Sequence, residues 1–196
     1  MVTHGVFVYL RCAFETMDRP YIAIFGSSRV RPGDPLYALA EKLGFRLAQA
    51  GYNVCNGGYG GVMEASARGC RRGGGRALGV PIAGSGTPNA YVDELAPARD
   101  LWERLRTLVE TGSGYVVLPG GTGTLLELAM VWELAYKGWA RSAPIWVWEP
   151  FWGPVLQRIQ SEPASEGLAP GLNPLDLLRP VGTIEEILID LSGASR

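Results

Sequence analysis

Histidine is nearly absent from this chain: His4 is the only one among 196 residues, and it stands close to the N-terminus. That removes the commonest zinc ligands and any Ser-His-Asp triad together. Lysine is almost as scarce. Lys42 stands beside Glu41 in an amphipathic stretch and Lys137 follows a helical one, so neither reads as the buried amine that a pyridoxal-phosphate enzyme requires. The three cysteines, Cys12, Cys55 and Cys70, form no CxxC pair, which argues against a disulfide framework and suits a reducing cytoplasm. No carboxylates recur at metal-ligand spacing, and no cofactor or metal is expected. A formal net charge of -1 and a pI near 5.9 leave no basic field for nucleic acid. No apolar run is long enough to cross a membrane; the one in the first fourteen residues is short and lacks the marks of a signal peptide. Two phosphate-loop signatures are also missing. The first glycine turn, Gly26-Ser27-Ser28, is not GxGxxG, and GxxxxGK[ST] occurs nowhere.

What is present is alternation. Tyr21–Phe25 is a continuous apolar run of the kind that forms a parallel strand buried on both faces. From about Asp34 to Ala50, Leu36, Leu39, Ala40, Leu43 and Leu47 recur at helical spacing, with Gly51 as a stop. Strands are predicted over 52–55, 76–80, 114–118 and 144–148, and helices over 62–72, 100–111, 124–137 and 151–160. A short extended segment at 177–181 and a helix near 184–191 follow. This order predicts a Rossmann-like α/β fold: one parallel sheet with helices on both faces, in a single domain spanning 17–196. Residues 1–16 carry no motif and are expected to be a loosely attached extension.

Three glycine-rich loops fall at predicted strand ends, where such sheets bind ligands, so they should converge on one crevice. The third, Pro119-Gly120-Gly121-Thr122-Gly123-Thr124, leads into a helix. Its glycines let backbone N–H groups face outward, the helix start favours an anion, and Thr122 and Thr124 add hydroxyls. Glu127 follows on the same helix face, in about the first turn, where the dipole favours its ionised form. The second loop, Asn56-Gly57-Gly58-Tyr59-Gly60-Gly61-Val62-Met63-Glu64, has room for a ribose or base. Tight packing of helix on strand needs the same glycines, and Glu64 could cap its own helix. Trp146 and Trp148 alternate within a strand and read as core plus an exposed aromatic face. Trp132, Tyr136 and Trp139 could line a dimer contact or a base-stacking wall.

Pro119 to Glu127 reads PGGTGTLLE. It thereby resembles the Lonely Guy family of cytokinin-activating phosphoribohydrolases, and its bacterial relatives often labelled lysine decarboxylase, whose hallmark is PGGxGTxxE. Gly57, Gly58, Gly61 and Met63 match the family's second signature, GGGxxGxM, in part, and Gly26-Ser27-Ser28 matches its opening GSS. The family's arginine, about fifteen positions before the motif proline, corresponds to Arg104. Three departures stand out: Leu105 where the family has Arg-Lys, Leu126 where an acid often precedes the motif glutamate, and Asn56 in place of the first loop glycine. The resemblance implies hydrolysis of the N-glycosidic bond of a nucleoside 5′-monophosphate. It places the phosphate on Gly120, Gly121, Thr122, Gly123 and Thr124 and makes Glu127 and Arg104 the catalytic pair. Gly26, Ser27, Ser28, Gly57, Gly58, Gly60, Gly61 and Met63 complete the substrate site. It also implies a homodimer. The alternative is a non-catalytic carrier of a nucleotide or molybdenum cofactor, built on the same fold.

Overall fold

The computed structural model describes residues 19–160 and 174–193. The expectation for residues 1–16, together with His4 and Cys12, falls outside them. Strand β1 (Tyr21–Phe25) is buried along its whole length, and its side chains divide by parity between two cores. Ile22 and Ile24 point to one face of the sheet; Tyr21, Ala23 and Phe25 point to the other.

Seven parallel strands form the sheet, in the order β4-β3-β2-β1-β5-β6-β7. The others are β2 (Asn53–Asn56), β3 (Ala77–Gly79), β4 (Glu94–Leu95), β5 (Gly112–Val117), β6 (Ile145–Trp148) and β7 (Leu178–Val181). Helices α1 (Pro35–Gln49), α2 (Val62–Arg72) and α6 (Ile184–Gly193) cover the Ile22 face. Helices α3 (Leu101–Thr111), α4 (Thr122–Tyr136) and α5 (Gly153–Gln160) cover the other. Each helix but the last returns the chain to start another parallel strand, which yields the doubly wound, Rossmann-like arrangement expected.

Trp146 is the largest fully buried side chain. Its indole N–H donates to Asp190 of α6 (3.0 Å), and Asp190 also accepts from Arg179 (2.9 Å). The last helix is thereby tied to the sheet by a satisfied polar contact as well as by Ile184, Ile187 and Leu191. Trp148 is only partly buried, as the alternation along β6 predicts.

Most boundaries shift by one or two residues, and three differences from expectation bear on the argument. Strand β5 begins at Gly112 rather than Gly114, through a register shift opposite Tyr21 and Ile22. Gly-Ser-Gly offers no apolar pattern, so only backbone pairing defines this stretch. Edge strand β4 has two residues and no hydrophobic run. It is held by backbone pairing to β3, by an Arg76–Glu94 ion pair (2.5 Å) and by Asp93 accepting from the Ala77 N–H (2.8 Å). Helix α4 starts at Thr122, two residues early, which carries Glu127 into its second turn.

The chain order reverses direction across the sheet at β1, between β2 and β5. In such sheets a crevice opens outside the carboxyl ends of the two central strands, and the candidate site lies there.

Candidate functional site

The loop after β1 is held in place by both of its neighbours. The Ser27 N–H donates to the Pro119 carbonyl (3.0 Å), and the Ser27 carbonyl accepts from the Val62 N–H (2.9 Å). Gly61 makes the second contact possible. Its φ is +70°, and a Cβ there would stand 2.3 Å from the Ser27 carbonyl oxygen. The three glycine loops therefore do converge, and they enclose a cleft of about 510 Å³.

One wall is the start of α4. Gly121 occupies the N-cap position in an extended conformation, no side chain caps this end, and the first turn holds no acid. The leading N–H groups of a helix have no intrahelical acceptor, so this end presents donors and a partial positive charge to the cleft. Nothing lies within 4 Å of where a Cβ would stand on Gly121 or Gly123, which leaves open space above the backbone. Thr122 and Thr124 also line the cleft; Thr124 is buried, with its hydroxyl against the Gly120 backbone.

The opposite wall carries Arg104 from α3, only 9 % exposed. Its Nη1 donates to the carbonyls of Gly57 and Val80 (both 3.0 Å), Nη2 approaches the Met63 Sδ (3.9 Å), and the guanidinium lies 5.3 Å from the Tyr59 ring centroid. Gly57 is required for this: a Cβ there would stand 1.8 Å from the Arg104 Nη2. The Tyr59 ring is itself fixed, since its hydroxyl accepts from the Ile82 N–H (2.9 Å). Arg104 is thus a locked cation whose donors are largely committed to the protein's own carbonyls.

Glu127 faces it, Oε1 to Nη2 at 3.9 Å, with its side chain 14 % exposed. Burial pushes its carboxyl up to about pH 7, and the Arg104 charge pulls only partly back. This corrects the expectation of a carboxylate held ionised by the helix dipole. In the second turn the dipole has weakened, Arg104 is beyond hydrogen-bonding distance, and desolvation outweighs both. Near neutral pH the group is present in both protonation states.

Of the residues predicted for the site, the cleft brings together Gly26, Ser27, Ser28, Gly57, Met63 and Arg104 with Gly121, Thr122, Gly123, Thr124 and Glu127. Gly58, Gly60, Gly61 and Gly120 do not line this cleft. Gly58 donates its N–H to the Asn56 side chain (2.8 Å), Gly60 borders Glu64, Gly61 admits Ser27, and Gly120 makes room for Thr124. Glu64 accepts from the Tyr37 hydroxyl (3.0 Å), so it braces α1 on α2.

Four contributors were given no role of their own in the sequence. Arg29 lines the cleft directly after the Ser28 turn. Tyr59 stacks near Arg104. Asn56, where the resemblance expects glycine, donates to the Met63 carbonyl (2.9 Å) and Ser66 (3.1 Å) while accepting from Gly58. Asn89 donates to the carbonyls of Gly58 and Tyr59 (3.1 and 2.8 Å). A cation adjoining GSS and an aromatic ring inside a glycine run were the available signals. Among the described residues, no three His, Cys, Asp or Glu side chains cluster as metal ligands would, and no helix is long and apolar enough to cross a membrane.

Such an arrangement can bind an anion at one end and present a carboxyl group of adjustable protonation next to a fixed cation. Known proteins are similar to this chain in sequence or in fold. The cytokinin riboside 5′-monophosphate phosphoribohydrolase of Mycobacterium tuberculosis is 34 % identical over 122 residues, 60 % of this chain and 64 % of that protein. Its counterpart from Mycobacterium marinum is 33 % identical over 107 residues, 53 % and 57 % of the two chains. The pyrimidine/purine nucleotide 5′-monophosphate nucleosidase of Escherichia coli K12 is 30 % identical over 140 residues, 65 % of this chain and 30 % of that one. The matches span less than two thirds of these relatives' own lengths. Among solved structures, the molybdenum cofactor binding protein from Rippkaea orientalis superposes with a TM-score of 0.70 at 18 % identity, over 92 % of this chain and all of that one. The molybdenum cofactor carrier protein of Chlamydomonas reinhardtii gives 0.67 at 18 %, over 89 % and 97 %. These two share the fold. The family match itself runs over residues 19–137, from β1 through the PGGTGT loop and α4. On that match, more than half of its length, the chain belongs to the SLOG cluster4 family.

Proposed function

We propose that this protein hydrolyses the N-glycosidic bond of a nucleoside 5′-monophosphate, releasing the free base and ribose 5-phosphate. One observation carries the reading: a buried Glu127, poised near neutral pH, faces Arg104 across a cleft whose far wall is the uncapped start of α4. The 5′-phosphate binds the N–H groups of Gly121 to Thr124, where helix donors suit an anion better than a hydroxyl. The ribose then lies over Glu127. As the bond to the base lengthens, positive charge develops at C1′, and the carboxylate stabilises it more than the neutral ground state. The base departs with the bonding electrons and takes up a proton from solvent. Water adds its hydroxyl to C1′, with Glu127 orienting it, accepting the other proton and passing it back to solvent, so that the proton count closes. Arg104 keeps enough of Glu127 ionised for this.

A second reading, a non-catalytic nucleotide or pterin-cofactor carrier, is favoured by one feature. Glycosidases commonly use two carboxylates, and Glu127 is the only one lining the cleft among the described residues. Incubation with a panel of nucleoside 5′-monophosphates, with free base and ribose 5-phosphate measured, separates the two. Release of both supports hydrolysis; tight binding with no base released supports the carrier.

Assembly as a homodimer belongs to the same proposal. Helix α4 is apolar around much of its circumference, and Leu125 and Leu126 are exposed on it. Trp102 on α3 and Trp139 beyond α4 are 68 % and 74 % exposed. A second copy would cover a surface of this kind. Trp132 is partly buried against the core, so it contributes less than the sequence suggested.

A further inference from the structure

Three ionisable side chains line the cleft: Arg29, Arg104 and Glu127. Arg104 and Glu127 face each other at 3.9 Å, so when Glu127 is ionised their charges cancel. The net positive charge that remains in the cleft belongs to Arg29.

Its backbone is well fixed. The Arg29 N–H donates to the Ser27 Oγ (3.2 Å), and Ser27 is bound on either side to Pro119 and Val62. The side chain is exposed, and among the described residues it meets no carboxylate. Other arginines on this surface do, such as Arg46 with Glu185, Arg71 with Asp93 and Arg179 with Asp190. An unpaired arginine on a convex surface is simply hydrated. One that lines the same cleft as the positive end of a fifteen-residue helix adds to a field that already favours an anion. Its planar fork suits the paired oxygens of a phosphate.

We propose that Arg29 is a phosphate-recognition residue. It closes on the outer oxygens of a 5′-phosphate seated at the start of α4 and sets the preference of the cleft for a phosphorylated over a neutral ligand. The proposal rests on the reading of this cleft as a nucleotide site, but not on hydrolysis there. Arg29 acts on binding and leaves the bond-breaking step to Glu127.

Calorimetric titration at pH 8, where most of Glu127 is ionised, tests this with adenosine 5′-monophosphate and adenosine as probes. Arg29→Ala should weaken the monophosphate roughly tenfold, the loss expected for one partly exposed charge-assisted contact, and leave adenosine unchanged. Arg29→Lys should restore much of the loss. Added salt should weaken the parent more than Arg29→Ala, and the melting temperature without ligand should not change. Equal monophosphate affinity in parent and Arg29→Ala overturns the proposal while leaving the nucleotide site standing. Parallel losses for monophosphate and nucleoside overturn it in favour of a structural role. A parent that binds neither ligand overturns the nucleotide site and this proposal together.

Discussion

Glu127→Gln removes one ionisable group and almost no volume, so its effect on stability reports what burying that charge costs. The carboxyl group titrates at an ordinary value of 4.5 in the unfolded chain and at about 7 in the fold. Between those values the folded protein holds a proton that the unfolded chain has released, so stability falls as pH rises through this window. Below pH 4.5 both states are protonated and the group contributes no difference. Above pH 7 the full penalty applies. At about 1.36 kcal/mol per pH unit the gap amounts to roughly 3 kcal/mol. Glutamine is neutral throughout and avoids it. Glu127→Gln should therefore match the parent near pH 4.5 and exceed it by roughly 2–3 kcal/mol at pH 8, or by about 4–10 °C in Tm for a domain of this size. Denaturant unfolding of both proteins in parallel, from pH 5 to 8.5 without ligand, measures the difference, and titrations common to both cancel. Parallel stability curves, or a less stable variant at pH 8, would show that Glu127 is solvated in the fold and that its near-neutral titration is wrong. In the proposed reaction the same variant should lose on the order of 10²-fold or more in kcat while still binding nucleotide. The residue would then trade stability for catalysis.

Gly57→Ala should keep the fold, since the Cβ meets the end of the Arg104 side chain rather than backbone, but should displace the guanidinium and lower kcat/KM by roughly 10–100-fold; circular dichroism and kinetics check both halves. Nucleosides should be far poorer substrates than their 5′-monophosphates, and equal rates on adenosine and its monophosphate would remove the anion site from α4. Binding of a dianion beside Glu127 should raise the carboxyl further, so titration at pH 7.5 in buffers of different ionisation enthalpy should show net proton uptake, which Glu127→Gln abolishes. Light scattering should give the mass of two chains, and Leu126→Glu should reduce it to one.

The sheet and its helices were legible in the sequence because short continuous apolar runs in the strands and the 3.6-residue period in the helices record burial directly. Tyr21–Phe25 is the clearest case: every residue is apolar and every residue is buried. Helix α2 was expected over 62–72 and spans Val62–Arg72, because glycines bound it at both ends. Strand β4 and the first residues of β5 were not legible. Glu94–Leu95 and Gly112-Ser113-Gly114 pair through backbone groups and contain too few apolar side chains to make a pattern. At the site, convergence of the three loops follows from topology alone. The roles within the second loop do not, because Gly57, Gly58, Gly60 and Gly61 look alike in sequence. Only the three-dimensional contacts separate Gly57, which makes room for Arg104, from Gly61, which makes room for Ser27.

Asn56 shows why a departure from a motif need not mean loss of a site. The glycine expected there would leave the Gly58 N–H and the Met63 carbonyl without this side-chain partner. The Asn56 amide serves both and reaches Ser66 as well, at only 1 % exposure. The loop keeps its course, Gly57 still offers its carbonyl to Arg104, and Met63 still reaches the cleft. Leu105 follows the same logic from the other side. It is buried in the direction opposite to solvent, at 2 % exposure, so the lysine expected by resemblance would have to be buried there or α3 would have to turn. With α3 so placed, Arg104 is the one cation of its own helix that lines the cleft, since Arg106 lies outside it. Its two carbonyl contacts and the Tyr59 ring supply the rigidity, and Glu127 is left with one incompletely paired partner. That incomplete pairing lets burial dominate its titration. A tight bidentate pair would fix Glu127 as a carboxylate, whereas this one leaves it able to give up and take a proton near pH 7, as the proposed activation of water requires.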